Sequence, residues 1–198
     1  RLLALFVSAF SWGQVQLSEG TPTQMIDFSS TVTGVSNGAF SGAGFQAAPT
    51  AGQLDSDAWA VTGWTDGALA FGGTRITGDY ARGAATTAIT TGGFYAYRGA
   101  PQSAANPCLM IQPGGSDFEP GTLTLRIQNT GAGFMNALAI SYNLFIRNDQ
   151  ARSNSFNFSY SSDNTTYTPV GSLDYTSPAA ADGLGWVQIG TSPSRSTS

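Results

Sequence analysis

The most regular hydrophobic pattern in the chain lies between residues 121 and 175. In residues 122–128, Leu123, Leu125 and Ile127 alternate with Thr122, Thr124, Arg126 and Gln128. The next run sets Leu138, Ile140, Tyr142, Leu144 and Ile146 against Ala139, Ser141, Asn143, Phe145 and Arg147. A third sets Phe156, Phe158 and Tyr160 against Asn157, Ser159 and Ser161. Period-two alternation marks strands with one buried and one wet face. Three such runs joined by turn residues predict an antiparallel sheet half covered by a second layer.

Weaker signals surround this block. Residues 23–28 form a candidate first strand, with Met25 and Phe28 offered to the core. Trp59 and Val61 alternate with Ala58, Ala60 and Thr62 after an acidic turn, and Asp66-Gly67 marks the next turn. Residues 90–97, 108–111 and 186–189 read as further strands, and no segment reads convincingly as a helix. The spacing predicts an all-β fold, a jelly-roll-like antiparallel β-sandwich occupying residues 14–198 as one domain. Residues 191–198 are polar and look unfinished, which predicts a sandwich truncated at its C-terminus with its last strand or strands missing.

Composition narrows the function. Of 198 residues only 10% are charged, against roughly 25% in an ordinary soluble protein. All eight basic residues are Arg, scattered singly, and the formal net charge is −4. Without a basic run there is no electrostatic footprint for nucleic acid. Histidine is absent, which removes the usual general base and the commonest metal ligand. The one cysteine, Cys108, reads as a buried, inert thiol. The apolar run at residues 2–10 is shorter than the roughly 20 residues that span a bilayer, so no membrane span is expected. With Ser11 and Gly13 placed for cleavage before Gln14, residues 1–13 read as an N-terminally clipped signal peptide, predicting a secreted or cell-surface protein.

Candidate chemistry is sparse. Glu19 and Glu119 are the only glutamates, and no nucleophile–base pair is apparent, so the chain is expected to be non-catalytic. Asp55, Asp57 and Asp66, joined by Asp27, are the best group for a structural calcium ion, because first and last strands often neighbour each other in jelly rolls. The predicted wet face carries Arg126, Gln128, Asn143, Arg147 and Asn157, with Arg152 as a further candidate; their planar amides and guanidinium groups suit sugar hydroxyls. Trp59, Trp64 and Tyr80 are the candidate stacking surfaces. Residues 161–167 resemble the hairpin of sialidase-type Asp boxes, though Thr165 stands where glycine is expected; Asp163 there reads as a turn-bonding residue and not as a site.

A wider resemblance rests on Leu54-Asp-Ser-Asp-Ala-Trp59, Leu69-Ala-Phe-Gly-Gly73, Gly78-Asp-Tyr-Ala-Arg-Gly83 and Thr91-Gly-Gly-Phe-Tyr95, followed by Ile127-Gln-Asn-Thr-Gly131, Ile140-Ser-Tyr142 and Phe156-Asn-Phe-Ser-Tyr-Ser161. Together they resemble an uncharacterised β-sandwich domain near the N-terminus of secreted multidomain bacterial proteins. Such proteins often carry a C-terminal type IX sorting tag, and some relatives carry lamin-tail or endonuclease/exonuclease/phosphatase-like domains downstream. The resemblance implies an accessory module of a larger secreted protein and assigns no catalytic residue. Two functions are expected from residues and resemblance together. The first is a non-catalytic extracellular module that binds polysaccharide or a cell-surface glycan. The alternative is a structural N-terminal domain of a secreted nuclease or other hydrolase, whose partners are the downstream domains of its own chain.

Overall fold

A computed structural model describes residues 13–189, together with the backbone of residues 195–197. The expected signal peptide falls almost wholly outside the described residues; of its residues only Gly13 is described. The chain is all-β, with two short 3-10 turns among the described residues, at Gly78–Tyr80 and Gly171–Leu173. It divides into two compact units, residues 1–134 and 135–198.

The first unit contains β1 (Val15–Leu17), β2 (Ser36–Asn37), β3 (Phe45–Gln46), β4 (Gln53–Asp55), β5 (Trp59–Thr62), β6 (Ala84–Ala85), β7 (Gly93–Tyr97), β8 (Cys108–Gln112), β9 (Thr122–Leu125) and β10 (Ile127–Asn129). These form four small sheets, ordered β1-β10, β2-β4-β3, β5-β9 and β6-β7-β8. The pairs β1–β10, β3–β4 and β6–β7 are parallel and the rest antiparallel. All five residues of β7, the middle strand of its sheet, are buried, so both of its faces are covered. β5 keeps the predicted alternation: Trp59 and Val61 are buried and lie opposite Leu125 and Leu123, while the Thr62 and Thr122 hydroxyls meet at 2.7 Å. Where the chain leaves β5, Gly63 has φ +99°, and a Cβ there would lie 2.5 Å from the Cα of Gly121, so only glycine fits.

The core of this unit is aromatic. Phe94, with no exposed surface, meets Phe45, Trp64, Tyr80 and Phe118 at centroid distances of 5.3, 5.4, 6.0 and 6.0 Å. Tilted and edge-on arrangements of this kind add about 0.5–1.5 kcal/mol per pair beyond area burial. Phe28 links a second group, packing on Phe40 at 6.3 Å and Trp59 at 6.4 Å.

The second unit contains β11 (Ile140–Tyr142), β12 (Leu144–Arg147), β13 (Ser155–Phe156), β14 (Ser159–Tyr160), β15 (Thr168–Pro169), β16 (Tyr175–Thr176), β17 (Trp186–Ile189) and β18 (Arg195–Thr197). Its pairing is nested and wholly antiparallel. β11 and β12 pair with β18 and β17, and β13 and β14 pair with β16 and β15 around the 161–167 tip. Polar groups stitch its loops. The buried Asn148 amide donates to the carbonyls of Pro178 (3.1 Å) and Ala180 (2.8 Å), and the buried Ser177 hydroxyl accepts the Asn154 N–H at 2.9 Å.

Two expectations are corrected. The three alternating runs are strands, but among the described residues they do not pair with one another. The first two find partners of matching apolar face elsewhere, Leu123 and Leu125 against Val61 and Trp59, Leu144 and Ile146 against Ile189 and Val187, whereas the third splits into β13 and β14, with Phe156 and Tyr160 exposed. Residues 23–28 are not a strand. Met25 is 73% exposed, the Asp27 carboxylate takes the Ser29 N–H at 2.9 Å, and Phe28 turns the chain at φ +59°. An Asx turn competes with a ladder for the same backbone groups. The first strand among the described residues is instead Val15–Leu17, paired with β10.

Candidate functional site

The carboxylates expected to hold calcium are spread over separate turns of the first unit. Asp27 caps Ser29, whose N–H holds its carboxyl below the ordinary range. Asp66 accepts the Asp79 N–H at 2.7 Å. Asp55 lies beside Asp57 and accepts its N–H at 2.9 Å. Burial raises the Asp55 pKa, the Asp57 N–H and the Arg126 charge oppose that rise, and the Asp57 charge adds to it. A Cβ at Gly13 would fall inside the Asp55 carboxylate, so a glycine backbone fills the space next to that group. Among the described residues, no three His, Cys, Asp or Glu side chains converge as a metal site would require.

Arg126 sits against the same turn. Its Nη2 donates to the Asp57 carbonyl at 2.6 Å, and its guanidinium lies 4.4 Å from the Phe71 ring centre. That role is internal bracing. Trp59 and Trp64, expected as stacking surface, are 6% and 5% exposed. Both are core residues, which corrects the expectation: Trp59 Nε1 donates to the Val35 carbonyl at 3.2 Å, and Trp64 lies 4.9 Å from Phe118. Tyr80 is fully buried, its hydroxyl donating to the Gly67 carbonyl at 2.6 Å. Glu19 is exposed, and its carboxylate is held below the ordinary range by its own backbone N–H and that of Gly133. Cys108 is half-buried, and desolvation pushes its thiol up to about 11, which leaves it an inert protonated group.

The other expected ligand residues belong to the second unit. Asn143 and Arg147 flank and end β12, and Asn157 is exposed between β13 and β14. The register of β12 on β17 decides what accompanies the first two. Phe145 lies opposite Gln188 and Arg147 opposite Trp186, so these four share one face; Leu144 and Ile146 face the other way with Ile189 and Val187. Asn143 joins the first face, because its Oδ1 accepts from Gln188 Nε2 at 3.1 Å. Arg147 Nε donates to Asp149 Oδ2 at 2.8 Å, which fixes the guanidinium at the strand end. Asn143, Arg147, Gln188 and Asp149 are exposed, and Phe145 and Trp186 are half-buried. The result is a wet sheet face built of two aromatic rings among amide, guanidinium and carboxylate groups.

Phe145, Asp149, Trp186 and Gln188 were absent from the expected site. A signal for the first was present in the sequence: Phe145 is the one aromatic on the polar side of its run. Trp186 and Gln188 became partners only through pairings 39 and 43 residues away in sequence.

Comparison with family models, with curated proteins and with solved structures finds no match to this chain. The class defined here is therefore structural: an all-β chain of two units, without a helix long and apolar enough to cross a membrane among the described residues.

Proposed function

We propose that the protein is a non-catalytic, extracellular accessory module whose second unit binds polysaccharide. The observation that carries this reading is the β12–β17 face, where Phe145 and Trp186 sit among Asn143, Arg147 and Gln188. Aromatic rings offer flat apolar surface to the C–H face of a pyranose, while planar amides and guanidinium groups meet its hydroxyls. The apolar run at residues 2–10 and the resemblance to secreted multidomain proteins support export. The first unit is the scaffold in this reading, since Trp59, Trp64, Tyr80 and Arg126 are all committed to its interior.

A second reading, a structural domain of a longer secreted hydrolase with no ligand of its own, is favoured by those same commitments. Affinity electrophoresis and a glycan array with the full chain separate the two. Retardation by at least one polysaccharide, abolished by Trp186→Ala at unchanged secondary structure, supports the binding reading. A chain that migrates identically in every gel, with or without Trp186, supports the structural one.

A further inference from the structure

We infer that the β12–β17 face selects neutral oligosaccharide chains carrying adjacent free hydroxyls, and discriminates against uronate polymers. The inference rests on the reading of this face as a glycan site and adds the class of sugar it takes.

Among the described residues, Arg147 at the end of this face and Asp149 beside it form an ion pair at 2.8 Å, one cation matched to one anion. That bond uses only Nε and Oδ2. Among the described residues, the two Nη atoms of Arg147 and Oδ1 of Asp149 have no protein partner. Asn143 is similar: its Oδ1 is taken by Gln188 while its Nδ2 keeps both hydrogens free. The face thus presents unspent donors and an unspent acceptor side by side. A sugar hydroxyl is both donor and acceptor, so two hydroxyls on neighbouring carbons can each give a hydrogen bond to Asp149 and accept one from Arg147. A carboxylate accepts only. A uronate approaching Arg147 would meet the Asp149 charge within the same pair, and the chain's net charge of −4 adds to that penalty.

The spacing sets the length of the ligand. Asn143 and Arg147 are four residues apart along an extended strand, about 13 Å at 3.3 Å per residue. That exceeds one pyranose ring, so the two polar clusters engage different sugar units of one chain, with Phe145 and Trp186 beneath the stretch between them.

The test is affinity electrophoresis of the full chain in gels containing xylan, β-glucan or galactomannan, and in parallel gels containing alginate or polygalacturonate. Each is run at about 0.02 M and about 0.5 M salt, where Debye screening differs several-fold. Retardation by a neutral polymer, changing less than about twofold with salt, is the expected result. Asp149→Asn should weaken it about tenfold while raising retardation by the uronate polymers, and Arg147→Lys should weaken it without that gain. Tighter binding of alginate or polygalacturonate by the unaltered chain, collapsing at high salt, would overturn the inference and leave the glycan-binding reading standing. Retardation by none of the five polymers, with thermal midpoints unchanged in both variants, would overturn the inference together with the reading beneath it.

Discussion

The two units are built from similar alternating strands and reach opposite solutions. Among the described residues, nineteen apolar side chains are buried in the first, from Val15 to Met110, and in the second only Leu173 is. Apart from Phe134, 98% exposed at its last residue, the first unit turns its larger aromatics inward, packing Phe45, Trp64, Tyr80, Phe94 and Phe118 on one another. The second leaves Phe156, Tyr160 and Tyr167 at 37%, 55% and 44% exposure and fastens its loops with Asn148, Ser177 and Asp163 instead. A dry core favours rigidity and leaves little chemistry at the surface. A thin, polar-stitched sheet leaves rings and amides available to a ligand, and it draws its stability from directional bonds that are individually weaker.

Substitutions can break this contrast in order of size. Phe94→Ala should cost the first unit about 3–5 kcal/mol, because a fully buried ring leaves a cavity among four other rings. Urea unfolding followed by tryptophan fluorescence reads this directly; a loss under about 1 kcal/mol would mean the aromatic cluster is not the core it resembles. Asn148→Ala should cost the second unit about 1–3 kcal/mol, since the carbonyls of Pro178 and Ala180 lose their donor. Hydrogen exchange should then rise across residues 144–147 and 186–189, with the first unit unchanged.

The smallest effect is one of sign. Asp55 in the first unit has its pKa raised by burial, whereas Asp163 in the second is lowered to about 2 by the N–H groups of Thr166 and Thr165 and the Ser161 hydroxyl. Asp55 binds its proton more tightly folded than unfolded, so its contribution is present below the unfolded value near 3.9 and is lost as pH rises through the folded one. Asp163 behaves oppositely: its contribution is present above about 3.9 and disappears as pH falls through about 2. Urea midpoints across this range should therefore show Asp55→Asn flattening the decline on the alkaline side and Asp163→Asn flattening the acid limb. Matching slopes in the two variants would contradict both environments.

What the sequence made legible follows from how far each signal reaches. Strands β5, β7, β8 and β17 and the second alternating run were readable because their periodicity is local. Side-chain alternation from Leu138 to Arg147 matches the observed exposure at every position but Phe145, which is half-buried. The Asp163 hairpin was readable for the same reason, and Asn164, at φ +56°, supplies the left-handed turn that the missing glycine at Thr165 would otherwise suggest. Pairing was not readable. Nothing near Thr122 says that its partner is Thr62 rather than the next run, and nothing near Arg195 says that it continues to β11. The same limit hid the full β12–β17 face: Asn143 and Arg147 were found from their own run, while Trp186 and Gln188 needed the register. Trp59 and Trp64 were misplaced because an aromatic at a strand or turn carries no label for inside or outside until the opposing layer is known.

The parallel pair of β1 and β10 bears on the order in which this chain acquires its shape. It joins Val15 to Ile127, whereas the β14–β15 pair joins Ser159 to Pro169. Closing the longer loop costs about 2 kcal/mol more in chain entropy than closing one roughly ten times shorter. The inner hairpin of the second unit can form on its own within microseconds. β1 must wait for β10, so this pair is seated late among those of the first unit. Until then β1 is unpaired, and the step that closes this pair joins two segments of the first unit that lie far apart along the chain.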